Sequence, residues 1–312
     1  MGRRKKDDGL TWEERQAKFE RNFAAVQKAI YRKEVTFDTD NYVVMANNMI
    51  LRSASNLNLN ELKLLRFIIM QTKKGDEELF TFDVNINQMA ESLEMNISTL
   101  YREIDTMTLH LMQEVISIGD KKMDVWKKFH WVDVCEYNNG KLTIKISEEL
   151  KPFLVGLRGN FTRYRLSEIL SLNSIYAIRI YEILCGYMNE NNLPHADVAI
   201  EVSISIEEIR KVTDTTDKFE RYSSFKLKVI DVALKEINQK SNYHVTATPY
   251  KSGRTVMGYD FLIESQVGYH HRTAADKNSI KIKSEPENEQ LDGQMNLLDY
   301  QTSDNKFTIT KG

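Results

Sequence analysis

The sequence predicts an α+β protein made of two tandem modules of one kind, with a helical N-terminal arm and a disordered C-terminal tail. Three observations carry that prediction. The stretch from Lys218 to Ile263 runs as a basic amphipathic helix, an alternating segment, a turn at Lys251-Ser252-Gly253-Arg254 and a returning alternating segment. The order helix, strand, capped helix, long helix and hairpin occurs twice along the chain. Beyond Glu264 apolar periodicity fades. A helix–turn–helix followed by a two-stranded ribbon with a basic tip is a winged helix, whose second helix can enter a major groove while the ribbon reaches neighbouring backbone. The divisions that follow are an arm over 1–41, winged-helix modules over 42–157 and 158–264, and a tail over 265–312.

In the arm, residues 10–33 read as an amphipathic helix with Trp12, Phe19, Phe23, Val26 and Ile30 roughly on one side. The first module opens with LNLNELKLLRFIIMQ, a helix with Asn58 or Asn60 as its N-cap and Leu62, Leu65 and Ile69 inward. FTFDVNI alternates as a strand. Asn85 then opens a short helix with Gln88 at capping-box spacing. A turn at Glu94–Asn96 leads to a longer helix with Leu100, Ile104, Met107 and Leu111 inward, and hairpins follow, turning at Asp120-Lys121-Lys122 and at Asn138-Asn139-Gly140. In the second module Leu172-Asn173 repeats the Leu-Asn opening, so that Leu62, Leu65 and Arg66 match Ile175, Ile178 and Arg179. Asn85–Met89 matches Ser205–Ile209, and Ile104, Met107 and Leu111 match Ile230, Ala233 and Ile237. Phe225, Val229, Ala233 and Ile237 form one apolar seam on the basic helix. Between the halves, KPFLVGLRGNFTRYRL gathers Arg158, Arg163 and Arg165 near two glycines, either as a phosphate-facing linker or as a solvated connector.

Composition excludes several classes. At 312 residues with 41% hydrophobic content the chain can bury two cores. It has no apolar run long enough for a membrane span, and its charged start lacks the apolar segment of a secretory signal, which predicts a cytoplasmic protein without membrane partners. Cys135 and Cys185 sit in apolar contexts and read as reduced, buried thiols. The net charge of -2 weighs mildly against nucleic acid, but the distribution of cations over one face matters more than the sum. No phosphate loop exists, since Asn139-Gly140-Lys141-Leu142 lacks the first glycine and the magnesium-binding hydroxyl. Two distant cysteines cannot build a zinc site, and adjacent His270-His271 on a strand would face opposite ways. No convergent acid, base and nucleophile set is visible, so the reading is a non-enzyme with no metal, no cofactor and no catalytic residues.

Several stretches resemble one family. They are Asn41–Asn48, Phe161-Thr162-Arg163-Tyr164, Ile180–Leu184, and Tyr222 through Asn238 with Lys251, Gly253 and Arg254. Together these are similar to plasmid replication initiators of the Rep_3 type, over roughly residues 41–264. The resemblance implies two winged helices that straddle successive major grooves of one origin direct repeat (iteron). It further implies monomers that bind repeats, dimers that repress their own gene, origin bending and opening, and recruitment of host replication proteins. The competing reading is a winged-helix transcriptional regulator without a replication role.

Within that frame the second module's Lys218, Arg221, Ser223, Ser224, Lys226, Lys228, Lys251 and Arg254 are expected at DNA, because a recognition helix reads bases from its N-terminal residues. Arg221 and Arg254 lead, since a guanidinium can pair in two-pronged fashion with guanine or phosphate. In the first module Ser98, Thr99, Arg102, Lys121 and Lys122 take the equivalent places, with Arg163 at the junction. Glu103 and Asp105 on that first helix favour backbone positioning there. Trp126 and Trp131 suit a dimer face or the core, with core packing favoured. In the tail, Gln294-Met295-Asn296-Leu297-Leu298 looks like the short peptide by which bacterial replication proteins dock on the sliding clamp, with Gln294, Leu297 and Leu298 as its anchors.

Overall fold

A computed structural model of the chain describes residues 11–18, 21–22, 32–52, 56–73, 75–120, 125–190, 199–266 and 279–283. Residues 12–18 are helical and exposed. The expected arm helix does not reach residue 33, because Arg32–Glu34 form a strand, β1, anchored by the Lys33–Asp76 ion pair at 2.5 Å. After β2 (Tyr42–Ala46) and α1 (Asn47–Arg52), α2 spans Leu59–Met70. Asn58 is its N-cap. The Asn58 side chain accepts from the Glu61 amide, and the Glu61 carboxylate accepts from the Asn58 amide. Then come β3 (Thr81–Asn85), α3 (Ile86–Ser92) and α4 (Ile97–Gln113). Asn85 accepts from the Asn87 and Gln88 amides, and Asn96 caps α4 through the Thr99 amide at 3.1 Å. Leu100, Ile104, Met107 and Leu111 are buried as the periodicity demands.

Four strands follow: β4 (Val115–Asp120), β5 (Val125–His130), β6 (Val132–Asn138) and β7 (Lys141–Ile146). β4 and β5 form a separate two-stranded sheet, while β6 and β7 join β3 and β1 in the order β1-β3-β7-β6. The β6–β7 turn places Asn139 and Gly140 at φ 47° and 78°, the left-handed pair that an Asn-Gly hairpin supplies. Trp131 is 2% exposed and belongs to the core, as favoured. Trp126 does not: it is 54% exposed. Strand alternation explains the split, because Trp126 shares a face with Lys128 and His130, opposite buried Phe129. Lys128 Nζ covers the Trp126 ring at 5.1 Å.

A short helix, α5 (Lys151–Leu154), precedes β8 (Phe161–Arg165), α6 (Leu166–Leu170) and α7 (Ile175–Glu190). The stretch read as a linker is therefore partly a strand. β8 pairs antiparallel with β2, burying Thr162 and Tyr164 and turning Arg163 and Arg165 outward. Next are β9 (Ala199–Ser205), α8 (Ile206–Val212) and a helix in three contiguous parts, α9 (Tyr222–Phe225), a π turn (Lys226–Ile230) and α10 (Asp231–Lys240). The ribbon β10 (Tyr243–Ser252) and β11 (Thr255–Ser265) closes the repeat. One tail segment read as disordered, Ser279–Lys283, forms a strand, β12, parallel to β9. Its sequence alternates about two isoleucines, which suits an open sheet edge.

The second sheet runs β12-β9-β11-β10, so each module sheet has a hairpin on one side and a parallel strand from outside the repeat on the other. β6–β7 is thus the counterpart of β10–β11. The β4–β5 hairpin has no counterpart among the described residues of the second module.

The two halves are tied by a buried polar cluster as well as by β2–β8. Arg66 of α2 donates to Glu182 of α7 from Nε at 2.5 Å and from Nη2 at 3.1 Å. Arg179 Nη1 donates to the same carboxylate at 2.9 Å, and the Tyr164 hydroxyl donates at 2.5 Å. Arg66 and Arg179, matched by the sequence repeat, thus converge on one anion. Burial alone would push the Glu182 carboxyl up, but the flanking guanidiniums overcome it and hold the group down at about 2. Cys135 and Cys185 are free thiols, and burial raises the former to about 12.

Candidate nucleic-acid interface

The second module's basic helix is held by residues that leave its outer face clear. Phe225, Val229, Ala233 and Ile237 are each 0% exposed. Four-residue spacing exceeds the 3.6-residue period, so three such steps drift by about 120° in a regular α-helix. The π turn Lys226–Ile230 takes up an extra residue and absorbs part of this drift. The turn before the helix is built by Arg210. Its Nη1 donates to the Thr215 and Lys218 carbonyls, its Nη2 donates to the Phe219 carbonyl, and its guanidinium lies 4.2 Å from the Phe225 ring centre. The Tyr222 hydroxyl meets the Tyr259 hydroxyl at 2.8 Å, joining the helix start to ribbon strand β11.

The ribbon tip requires Gly253, which sits at φ 60°. Lys251, Ser252 and Arg254 around it are exposed. A register shift at Tyr250/Lys251 marks a bulge, which increases local twist. Gly258 lies beside it, where a Cβ would come within 2.3 Å of the Ile204 carbonyl and of the Tyr250 hydroxyl.

The predicted residues divide into three groups. Arg221, Ser223 and Lys228 at the helix start and Lys251 and Arg254 on the ribbon are exposed, with Ser224 half-buried. Among the described residues none of these cations pairs with a carboxylate. Lys226 and Lys218, by contrast, are engaged. Lys226 Nζ donates to both Asp231 oxygens at 2.6 and 2.8 Å, and Lys218 Nζ lies 2.7 Å from Asp214. Lys226 thereby neutralises the acidic group nearest the π turn, and Lys218 falls in the turn before the helix. In the first module Ser98 and Arg102 are exposed at the start of α4 and Thr99 is half-buried, with Arg102 leaning on Glu103 at 3.2 Å. Arg163 lies on β8 over the Tyr42 ring at 5.3 Å. Lys121, Lys122, Gln294, Leu297 and Leu298 lie outside the described residues.

Sequence reasoning missed Arg210, Tyr222 and Tyr259 as supports of this surface and Leu227 as part of it. Arg210 had a signal, a cation in the last turn of α8, where it can meet free carbonyls. Leu227 had another, an aliphatic residue off the buried seam.

Two winged helices in tandem, one of them carrying exposed cations at its helix start and ribbon tip, define a tandem winged-helix protein. The chain belongs to the replication initiator family: residues 42–185 match the profile described as "Initiator Replication protein, WH1" and residues 205–263 the one described as "Initiator Rep protein, WH2". A "Replication initiation protein" of Escherichia coli is 23% identical over 214 residues, 69% of this chain, and the chain spans 64% of that relative's length. The crystal structure of the Pi initiator protein in complex with iteron DNA matches with a TM-score of 0.60 at 17% identity. That match covers 73% of this chain and 99% of the other, and it shows a common fold. No helix among the described residues is long and apolar enough to cross a membrane.

Proposed function

We propose that the chain binds double-stranded DNA at the direct repeats of a plasmid origin and initiates replication there. The observation that carries this reading is the set Arg221, Lys228, Lys251 and Arg254, exposed and without carboxylate partners among the described residues, on a winged helix of an initiator family. The family match and the shared fold with an initiator bound to iteron DNA support it. The modules act as units over 42–157 and 158–264, the second reading sequence and the first positioning the chain through Ser98, Thr99, Arg102, Lys121, Lys122 and Arg163. Binding bends and opens the origin without a cofactor or a catalytic step of the chain's own. A homodimer represses its own gene, the protein works in the cytoplasm beside its plasmid, and host replication proteins, including the sliding clamp through Gln294, Leu297 and Leu298, join it.

Fluorescence anisotropy with a direct-repeat duplex and a scrambled duplex tests the core of this proposal. The repeat is expected to bind tighter, with log affinity falling by about 0.9 per neutralised phosphate per decade of salt. Equal, salt-independent affinity for both duplexes overturns it. Removing 284–312 spares β12 and is expected to leave repeat binding intact while abolishing clamp capture.

A further inference from the structure

Among the described residues, the most exposed large apolar side chain in the second module is not on its rim but on its DNA-facing helix. Leu227 is 64% exposed. It lies in the π turn, next to Lys228, about one turn beyond Ser223 and Ser224 and less than two turns beyond Arg221. At about 1.5 Å rise per residue it stands some 7 Å along the axis from Tyr222, within the roughly 12 Å width of a major groove.

Comparison of the two modules shows how it comes to be there. Leu100, Ile104, Met107 and Leu111 are the buried positions of α4, and Phe225, Ile230, Ala233 and Ile237 are buried in the second helix. The last two intervals agree between the helices. The first does not, being one residue longer in the second module, and the extra residue falls in the π turn. The first module follows ordinary α-helical spacing here, so the fold itself does not require the insertion. Within that turn Val229 and Ile230 remain buried while Leu227 is turned out.

The surroundings decide what chemistry meets the leucine. The residues three and four away along the helix are Ser223, Ser224, buried Ile230 and Asp231, Lys226 and Lys228 adjoin it in sequence, and Asp231 is already satisfied by Lys226. Nucleic acid suits that charge. A protein partner does not, since a stable interface needs about 800 Å² per side and the exposed large apolar side chains of this helix are Leu227 and, at 36%, Val232. In a major groove the only apolar group on a base-pair edge is the 5-methyl of thymine.

We infer that Leu227 is a specificity-determining residue that packs on the 5-methyl group of a thymine in the bound repeat. This rests on the DNA-binding reading above and adds to it an apolar contact beside the arginine contacts. Arginine at guanine and leucine at thymine would give the helix two independent kinds of base discrimination.

The test uses the intact chain and a direct-repeat duplex in which thymines are replaced one at a time by deoxyuridine, which removes only the methyl. Wild type is expected to lose about three- to fivefold in affinity at one thymine or two adjacent ones, the equivalent of one desolvated methyl. Leu227→Ala is expected to bind the thymine and deoxyuridine duplexes equally at those positions, and Leu227→Met to keep part of the difference. Arg221→Ala serves as the contrast, losing overall affinity while retaining the deoxyuridine effect. Equal wild-type affinity for every deoxyuridine duplex overturns the inference, as does full discrimination by Leu227→Ala. A change in oligomeric state with Leu227→Ala, without any change in thymine discrimination, overturns it in favour of a protein contact. Failure of the underlying reading looks different: wild type would then not prefer the repeat to scrambled DNA at any salt concentration.

Discussion

Glu182→Gln is the most informative single change to the fold, because it removes one charge from a site where three groups depend on it. The carboxylate is 0% exposed and accepts from Arg66, Arg179 and Tyr164. Glutamine keeps the shape but leaves two buried guanidiniums without an anion. Removing one partner of a buried ion pair costs about 3–5 kcal/mol. The pH dependence gives a second estimate. A carboxyl near 4.3 in the unfolded chain and held at about 2 in the folded one contributes about 3 kcal/mol. Its folded pKa is depressed, so this contribution is fully present above the unfolded value and is lost as pH falls from about 4.3 towards 2. Urea unfolding of the intact chain at neutral pH and across the acid range measures both. The variant is expected to be about 3–5 kcal/mol less stable at neutral pH and to lack that part of the wild-type acid loss. A neutral-pH difference below about 1 kcal/mol would mean that the arginines do not depend on the carboxylate.

Other substitutions test the ribbon, the core and the candidate interface. Gly258→Ala places a methyl against the Ile204 carbonyl and the Tyr250 ring; it is expected to cost at least 1–3 kcal/mol in thermal unfolding and to weaken repeat binding by displacing the ribbon. Trp131→Ala is expected to cost about 3–5 kcal/mol, whereas Trp126→Ala, at a half-exposed ring, stays within about 1 kcal/mol by the same assay. Arg254→Ala and Arg221→Ala are each expected to lose about 1–3 kcal/mol of binding on the repeat; an equal loss on scrambled DNA would reduce them to phosphate contacts.

The sequence made the repeated units legible because their signals are local. The Asn58 and Asn85 caps, the buried face of α4, the Asn139-Gly140 turn and the seam from Phe225 to Ile237 each lie within a few residues of what they organise. The pieces that escaped are those set by distant partners. β1 and β12 are short segments that become strands by joining the edges of β3 and β9, and no pattern within three or five residues names such a partner. β8 looked like a connector because its arginines and flanking glycines outweigh a short alternation, and only β2, more than a hundred residues earlier, makes it a strand. The repeat did identify Arg66 and Arg179 as equivalents, but not that both would meet at Glu182. At the candidate interface, charge counting found the cations but could not tell Lys226, spent on Asp231, from Lys228. Counting also has no place for an exposed leucine.

Under the proposed function two linked winged helices engage one repeat together. Hydroxyl-radical footprinting of the intact chain on a single direct-repeat duplex tests it most directly. Two protected patches are expected on one face of the duplex, centred about one helical turn (10 base pairs) apart, with Arg254→Ala weakening the patch that belongs to the second module. A single patch of about half a turn, unchanged by Arg254→Ala, would contradict it.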